Sequence, residues 1–245
     1  MEFKMPHLTN LQQNQMLAIL PTDVQDRLCP HMDLIELPLG KVLYESGDTQ
    51  RYVYFPTDSI VSLLQVTESG AGTEISVVGN EGLVGVPLIM GGGSTTSRAF
   101  VQSSGHAYRL LGHRLKDEFN RHGALLQTVL RYTQTLITQM SQTAACNRHH
   151  TIDQQLCRLL LVSLDRLEGN ELVMTHELIA TMLGVRREGV TEAAGRLQRM
   201  GVIEYRRGRI QILDRTELEH LSCECYAIVR KESERLLPWI NNVNS

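Results

Sequence analysis

The chain has 245 residues, 42% of them hydrophobic, and a net charge of −3, enough length and apolar content for two compact domains and no compositional mark of disorder. The five cysteines, Cys29, Cys146, Cys157, Cys223 and Cys225, are odd in number and irregularly spaced, without a secretory leader pattern, so a reducing cytoplasm is the expected compartment. The longest apolar runs, such as Leu159 to Val162, fall far short of the ~20 residues of a membrane-spanning helix, which excludes a membrane partner. From Leu34 to Leu111 short apolar or alternating runs, Leu37 to Tyr44, Ile60 to Val66 and Glu74 to Val78, are broken by Gly40, Gly47, Gly70, Gly72, Gly79, Gly82 and Gly85. That pattern predicts an antiparallel β-barrel or jelly roll. Gly91 to Thr96 reads as a loop and Ala99 to Val101 as the strand after it.

After Gly112 the periodicity becomes helical. Leu126, Val129, Leu130, Thr133, Leu136, Ile137, Met140 and Ala144 fall on one long amphipathic stripe. A stripe so close to a heptad seam suits a symmetric dimer; packing on the chain's own barrel is the other option. A second helix is predicted from about Thr151 to Leu167, ending near the turn Glu168-Gly-Asn170.

Thr175 can cap a third helix with Glu177 in its first turn and Leu178, Ile179, Met182 and Leu183 inside it; the helix stops at Gly184. A fourth runs from about Arg186 to Met200, with Val190, Ala193, Ala194 and Leu197 on one face and Glu188, Thr191, Glu192 and Gly195 on the other, Arg187 lying between them. Two such helices around a glycine turn match a helix-turn-helix. The segment Gly201 to Leu213 then reads as two strands around Arg206-Arg-Gly-Arg209, a basic wing. Residues 174–212 hold seven arginines against four glutamates, a local charge of +3 in an acidic chain, and local charge is what a phosphate backbone attracts. The expected partner is double-stranded DNA. Arg187, Glu188, Thr191 and Glu192 are the candidate base readers; Thr175, His176, Arg186, Arg206, Arg207 and Arg209 are the candidate phosphate contacts.

With those residues in view, Leu178-Ile-Ala-Thr-Met-Leu-Gly-Val-Arg-Arg-Glu-Gly-Val190 resembles the reader segment of the Crp/Fnr transcription regulators, and the likeness extends over about residues 16–215. Arg187-Glu188 matches the family's base-reading pair, while its third reader, commonly arginine, falls on Glu192. Leu37-Pro-Leu-Gly40 with Gly47-Asp48 looks like the family's first barrel hairpin, and Gly79-Asn-Glu-Gly-Leu-Val-Gly85 like the run into its ligand cassette. Cyclic-nucleotide-binding members continue Gly-Glu-Leu and later carry Arg-Ser/Thr-Ala. Here Gly85-Val86-Pro87 lacks the ribose-binding carboxylate, and Ser97 occupies the phosphate-binding position with Arg98 one step along, on the opposite face of a strand. The candidate effector pocket is therefore Gly85, Val86, Ser97 and Arg98, with no cofactor expected, no cyclic AMP, and either another small effector or a purely structural barrel.

The resemblance implies an α+β chain: residues 1–112 an N-terminal antiparallel β-barrel sensor-like domain, 113–147 a dimerisation helix, and 148–245 a C-terminal winged helix-turn-helix with a helical tail. It implies a homodimer on an inverted repeat, with RNA polymerase as a further partner. The alternative is an interaction or effector-binding barrel whose reader no longer engages DNA. Iron–sulfur sensing is not expected, since Cys29 stands alone in the first hundred residues. Cys223-Glu-Cys225 could take a soft metal, answer to oxidants, or simply pack as small hydrophobes. Cys146 with His149-His150 is set aside as a ligand group because adjacent side chains diverge, so no metal site is expected. A cupin His-x-His pair is absent, with the histidines at 31 and 106 far apart, as are a Gly-x-Ser-x-Gly elbow and a phosphate loop; an enzyme is not expected.

Overall fold

Glycine-punctuated apolar runs become strands here because each strand has at least one face to bury. The computed structural model describes residues 8–237, so the first seven residues of the expected barrel segment and the last eight of the tail lie outside the described residues. Helices α1 (Gln15–Ala18) and α2 (Thr22–Leu28) lead into β1 (Met32–Leu37), β2 (Val42–Tyr44), β3 (Tyr52–Pro56), β4 (Ile60–Val66) and β5 (Gly72–Val78). After α3 (Val86–Ile89) come β6 (Ser97–Ser103) and β7 (Gly105–Leu111). These strands form two antiparallel sheets, ordered β1-β7-β3 and β2-β6-β4-β5. Val53, Phe55, Val61, Ala99, Val101 and Tyr108 are fully buried between them, and each large side chain removed from water contributes about 1.5–3 kcal/mol. β4 shows no clean alternation because its outer face is covered as well: Ile60, with Val77 of β5, packs into the same cluster as Leu156, Leu159 and Leu160 of the following domain.

After α4 (Gly112–Phe119) the chain forms the 26-residue α5 (Ala124–His149). Its apolar residues divide into two stripes. Leu125, Val129, Tyr132 and Leu136 are buried in the barrel core, and Tyr132 lies so close to Gly82 that a Cβ there would fall 2.0 Å from its ring. Leu130 and Ile137 instead stay 51% and 50% exposed, and with exposed Ala144 and half-buried Leu126, Thr133 and Met140 they repeat at alternating four- and three-residue steps, Met140 also touching the barrel core. The single stripe read from the sequence is thus corrected: Val129 and Leu136 belong to the chain's own core, and a separate heptad-spaced seam remains on the surface.

An extended break at His150 and Thr151 separates α5 from α6 (Ile152–Leu164). Thr151 and Gln154 form a reciprocal capping box that fixes where α6 starts. Every residue from Gln155 to Leu164 is buried, since residues of both the barrel and the reader pack on this helix. Polar ties cross the same junction. Arg166 pairs with Glu81 at 2.8 Å with both side chains nearly buried, and Gln139 of α5 accepts from the Val77 N–H at 2.6 Å and from the Ser76 hydroxyl.

The remaining elements are β8 (Glu171–Val173), α7 (His176–Leu183), α8 (Arg187–Arg199), β9 (Ile203–Arg206), β10 (Arg209–Ile212), α9 (Arg215–Leu221) and α10 (Glu224–Leu236). β8 joins the two wing strands in a third antiparallel sheet, ordered β8-β10-β9. α10 returns along α5. Among the described residues no helix is long and apolar enough to cross a membrane.

Candidate nucleic-acid interface

The reader is assembled by local rules that the sequence carries. Thr175 caps α7, its side chain accepting the Leu178 N–H at 3.1 Å. Gly184 ends the helix in the left-handed region, φ +66°, where glycine carries no Cβ penalty. A Cβ at Gly184 would also fall 2.5 Å from the Thr73 hydroxyl of β5, so the turn of the helix pair sits against the barrel. Val190, Ala193, Ala194 and Leu197 bury one face of α8. Arg196 grips Asp153 of α6 with two hydrogen bonds of 2.6 and 2.8 Å, fixing the helix from behind.

The other face of α8 is open. Arg186, Arg187, Glu188, Thr191 and Glu192 are all exposed, and Arg186, at the N-cap, makes no side-chain cap, which leaves first-turn N–H groups pointing outward. At the wing tip Arg207 and Gly208 both have positive φ, +48° and +79°, the geometry of a two-residue hairpin turn matched to strand twist. For arginine that conformation costs roughly 1–2 kcal/mol, and it holds the side chain at the apex. Among the described residues Arg186, Arg187 and Arg207 form no ion pair, whereas Arg206 meets Glu204 at 3.3 Å and Arg209 meets Glu171 at 2.5 Å.

His176, expected among the phosphate contacts, also has partners within the domain. Its ring stacks on Tyr205 of the wing with centroids 4.1 Å apart, and its Nδ1 lies 3.0 Å from the Thr191 hydroxyl. Burial, and then the neighbouring Arg187 charge, pull this imidazole below its ordinary pKa. The Thr191 hydroxyl in turn donates to the Arg187 carbonyl at 3.0 Å, so of its groups the methyl is the one left without a local bond. His176 therefore links α7, α8 and the wing.

In the barrel, Gly85 has φ +112° and Val86 is buried. Ser97 points inward, 6% exposed, beside the Thr95 hydroxyl at 3.1 Å. Arg98 points outward and pairs with Glu45 at 2.7 Å, as strand alternation demands.

One group was missed. Cys146 and His150, set aside in the sequence, meet Cys223 and Cys225: one ligand atom from each of the four lies within 4.8 Å of all the others. The two former residues stand one turn apart at the end of α5, which an adjacency argument about His149-His150 overlooks, and the latter two arrive from the start of α10. All three cysteines are free and buried. The Cys146 hydrogen bond, ahead of the opposing effect of burial, holds the Cys223 thiol down at about 5.

An exposed helix backed by a capped partner helix, next to a hairpin with an arginine at its tip, defines a winged helix-turn-helix protein of the DNA-reading class. Residues 154–221 match the model of the Crp-like helix-turn-helix domain. The fold is shared with a transcriptional regulator assigned to the Crp/Fnr family from Eubacterium rectale (18% identity, TM-score 0.64, covering 86% of this chain and 98% of that one). It is shared too with the c-di-GMP responsive global regulator CLP of Xanthomonas campestris (14%, 0.65, 79% and 100%) and a CRP-family transcriptional regulator of Thermus thermophilus (18%, 0.65, 77% and 96%). No curated protein matches the sequence. Residues 154–221 are thus a Crp-like helix-turn-helix domain, and the chain as a whole shares the fold of these regulators.

Proposed function

We propose that the protein acts in the cytoplasm as a homodimer that places one α8 per subunit in successive major grooves of an inverted repeat, with half-sites ~34–36 Å apart. The observation that carries this reading is that Arg186 and Arg187 at the start of α8 and Arg207 at the wing tip are all exposed, while His176 ties helix and wing together through Thr191 and Tyr205. Arg187 and Glu188 read base edges, with Glu192 and the Thr191 methyl beside them. Arg186 and Arg207, with Arg206 and Arg209, anchor phosphates and add the exposed N-terminus of α8 to that work. The stripe of exposed Leu130, Ile137 and Ala144 with half-buried Leu126, Thr133 and Met140 supports the dimer, because its spacing is that of a coiled-coil seam. RNA polymerase is the partner such a DNA-bound dimer would address.

Regulation is independent of cyclic AMP in this reading. The only arginine of the cassette, Arg98, is turned outward to Glu45, and the position of the ribose-binding carboxylate is held by buried Val86. Selection of bound duplexes from a random pool tests the function: a palindromic consensus is expected, and recovery of none would refute it. Calorimetric titration with cyclic AMP tests the second part, which micromolar or tighter binding would overturn.

A further inference from the structure

We propose that Cys146, His150, Cys223 and Cys225 form a closed, four-coordinate site for a thiolate-preferring metal ion, zinc in the first place, that pins the start of α10 to the end of α5. Around zinc, with Zn–S near 2.3 Å and Zn–N near 2.0–2.1 Å, the edges of a ligand tetrahedron are about 3.5–3.8 Å. Here Cys146 Sγ lies 3.5 Å from Cys223 Sγ, and Cys225 Sγ lies 3.6 Å from His150 Nδ1, with all four ligand atoms within 4.8 Å. These separations fit one ion at the centre and are too tight for a cluster of several irons.

The histidine supplies a second, independent sign. Its Nδ1 faces the sulfurs while its Nε2 lies 3.3 Å from the Glu224 carboxylate. A ligating imidazole commonly hands its other N–H to a carboxylate in this way, which fixes the tautomer and raises the basicity of the ligating nitrogen. Three cysteines and one histidine are a soft donor set that selects zinc over the hard, oxygen-bound cations. The three thiols lose their protons on binding, and the protons pass to solvent. Four protein ligands and burial leave no open position for substrate, so the ion is structural. Its place is the last turn of α5, immediately before the extended break at His150 and Thr151, where it fixes the exit of the helix carrying the dimer seam against α10.

Metal content is read without DNA, so its outcome is separate from that of the proposed function. Full-length protein purified under reducing conditions is expected to hold one equivalent of zinc per chain. Replacement by cobalt is expected to give sulfur-to-cobalt charge-transfer bands with the intense visible absorption of a tetrahedral ion. The double variant Cys223→Ser/Cys225→Ser should lose the equivalent, whereas Cys29→Ser should keep it. If the double variant fails to fold, the cobalt spectrum of the unaltered chain decides alone. Reduced protein that takes up neither zinc nor cobalt, or a cobalt spectrum without sulfur bands, overturns the proposal. So does a Cys146–Cys223 disulfide that forms at the same rate with and without added zinc.

Discussion

Replacing Glu74 by glutamine should stabilise this protein, and more so the higher the pH. Glu74 is buried on β5, and the Ser62 hydroxyl lies 2.7 Å from both its Oε2 and Gln102 Oε1. A hydroxyl has one proton to give. Gln102 uses its amide nitrogen to donate to Ser163 at 2.8 Å, and Ser163 donates on to the Leu159 carbonyl at 2.9 Å. Its Oε1 can only accept, so Ser62 donates there and Glu74 must supply the remaining proton. Burial raises Glu74 from 4.5 to about 7, against the opposing charges of Arg158 and Arg166. Because the folded value lies above the unfolded one, the native state holds the extra proton between them. The stabilisation is complete below the unfolded value and is lost as pH rises through 7. At 1.36 kcal/mol per tenfold, the whole loss is about 3 kcal/mol. Glu74→Gln keeps the shape, donates to Ser62 and has no proton to release. In urea unfolding, its advantage over the parent chain should grow by about 2–3 kcal/mol between about pH 5 and about pH 8.5. Taking the difference between the two proteins cancels every other titrating group. A gap that does not change with pH would refute the proton assignment.

Three further perturbations test the reader and the long helix. Arg187→Ala should relax preference at one base pair by about 1–3 kcal/mol, while Arg207→Ala should weaken binding to every sequence and lower the salt slope by about 1; equal losses on all duplexes for both variants would dismiss the division of roles. Ile137→Glu changes a half-exposed side chain on the outer seam, so sedimentation should show a folded monomer; a persistent dimer would remove α5 from the interface. Gly82→Ala places a methyl where the Tyr132 ring stands and should cost at least the ~1–3 kcal/mol of overpacking, measured by thermal unfolding.

The reader was legible because its signals are local. Thr175, Gly184 and the Arg207-Gly208 turn each fix a backbone conformation within a few residues, and the burial of α8 follows directly from its period. The barrel cassette was legible to the extent that strand alternation turns Arg98 away from Ser97. What distance along the chain conceals was missed. α5 has two apolar stripes because a barrel and α10 occupy one side, and no periodicity says which of two merging stripes a barrel will cover. Likewise 77 residues separate Cys146 from Cys223, and only the return of α10 along α5 makes them neighbours. Nor could the sequence show that the His176 ring stacks on Tyr205, 29 positions later.

The pair Glu81–Arg166 bears on how the two domains are held in one arrangement. Both partners are nearly buried, so their attraction is largely offset by desolvation, and removing one of them should leave an uncompensated charge costing about 3–5 kcal/mol. Glu81→Gln should therefore destabilise strongly, whereas Glu81→Gln with Arg166→Met should recover most of the loss, since an apolar pair of similar volume avoids that desolvation. Stability alone would then make the ion pair dispensable. Its contribution is directional: the Arg166 guanidinium also donates to the Val162 carbonyl at 2.7 Å, and Glu81 accepts the Gly79 N–H at 3.0 Å, so the pair registers the end of α6 against one particular barrel loop. Methionine and glutamine lack that geometry. In the double variant, amide exchange at Val77 and at the loop around Gly79 should quicken while the global unfolding midpoint returns close to that of the parent chain. Unchanged exchange there would mean that the apolar contacts of Ile60 and Val77 with α6 fix the arrangement by themselves.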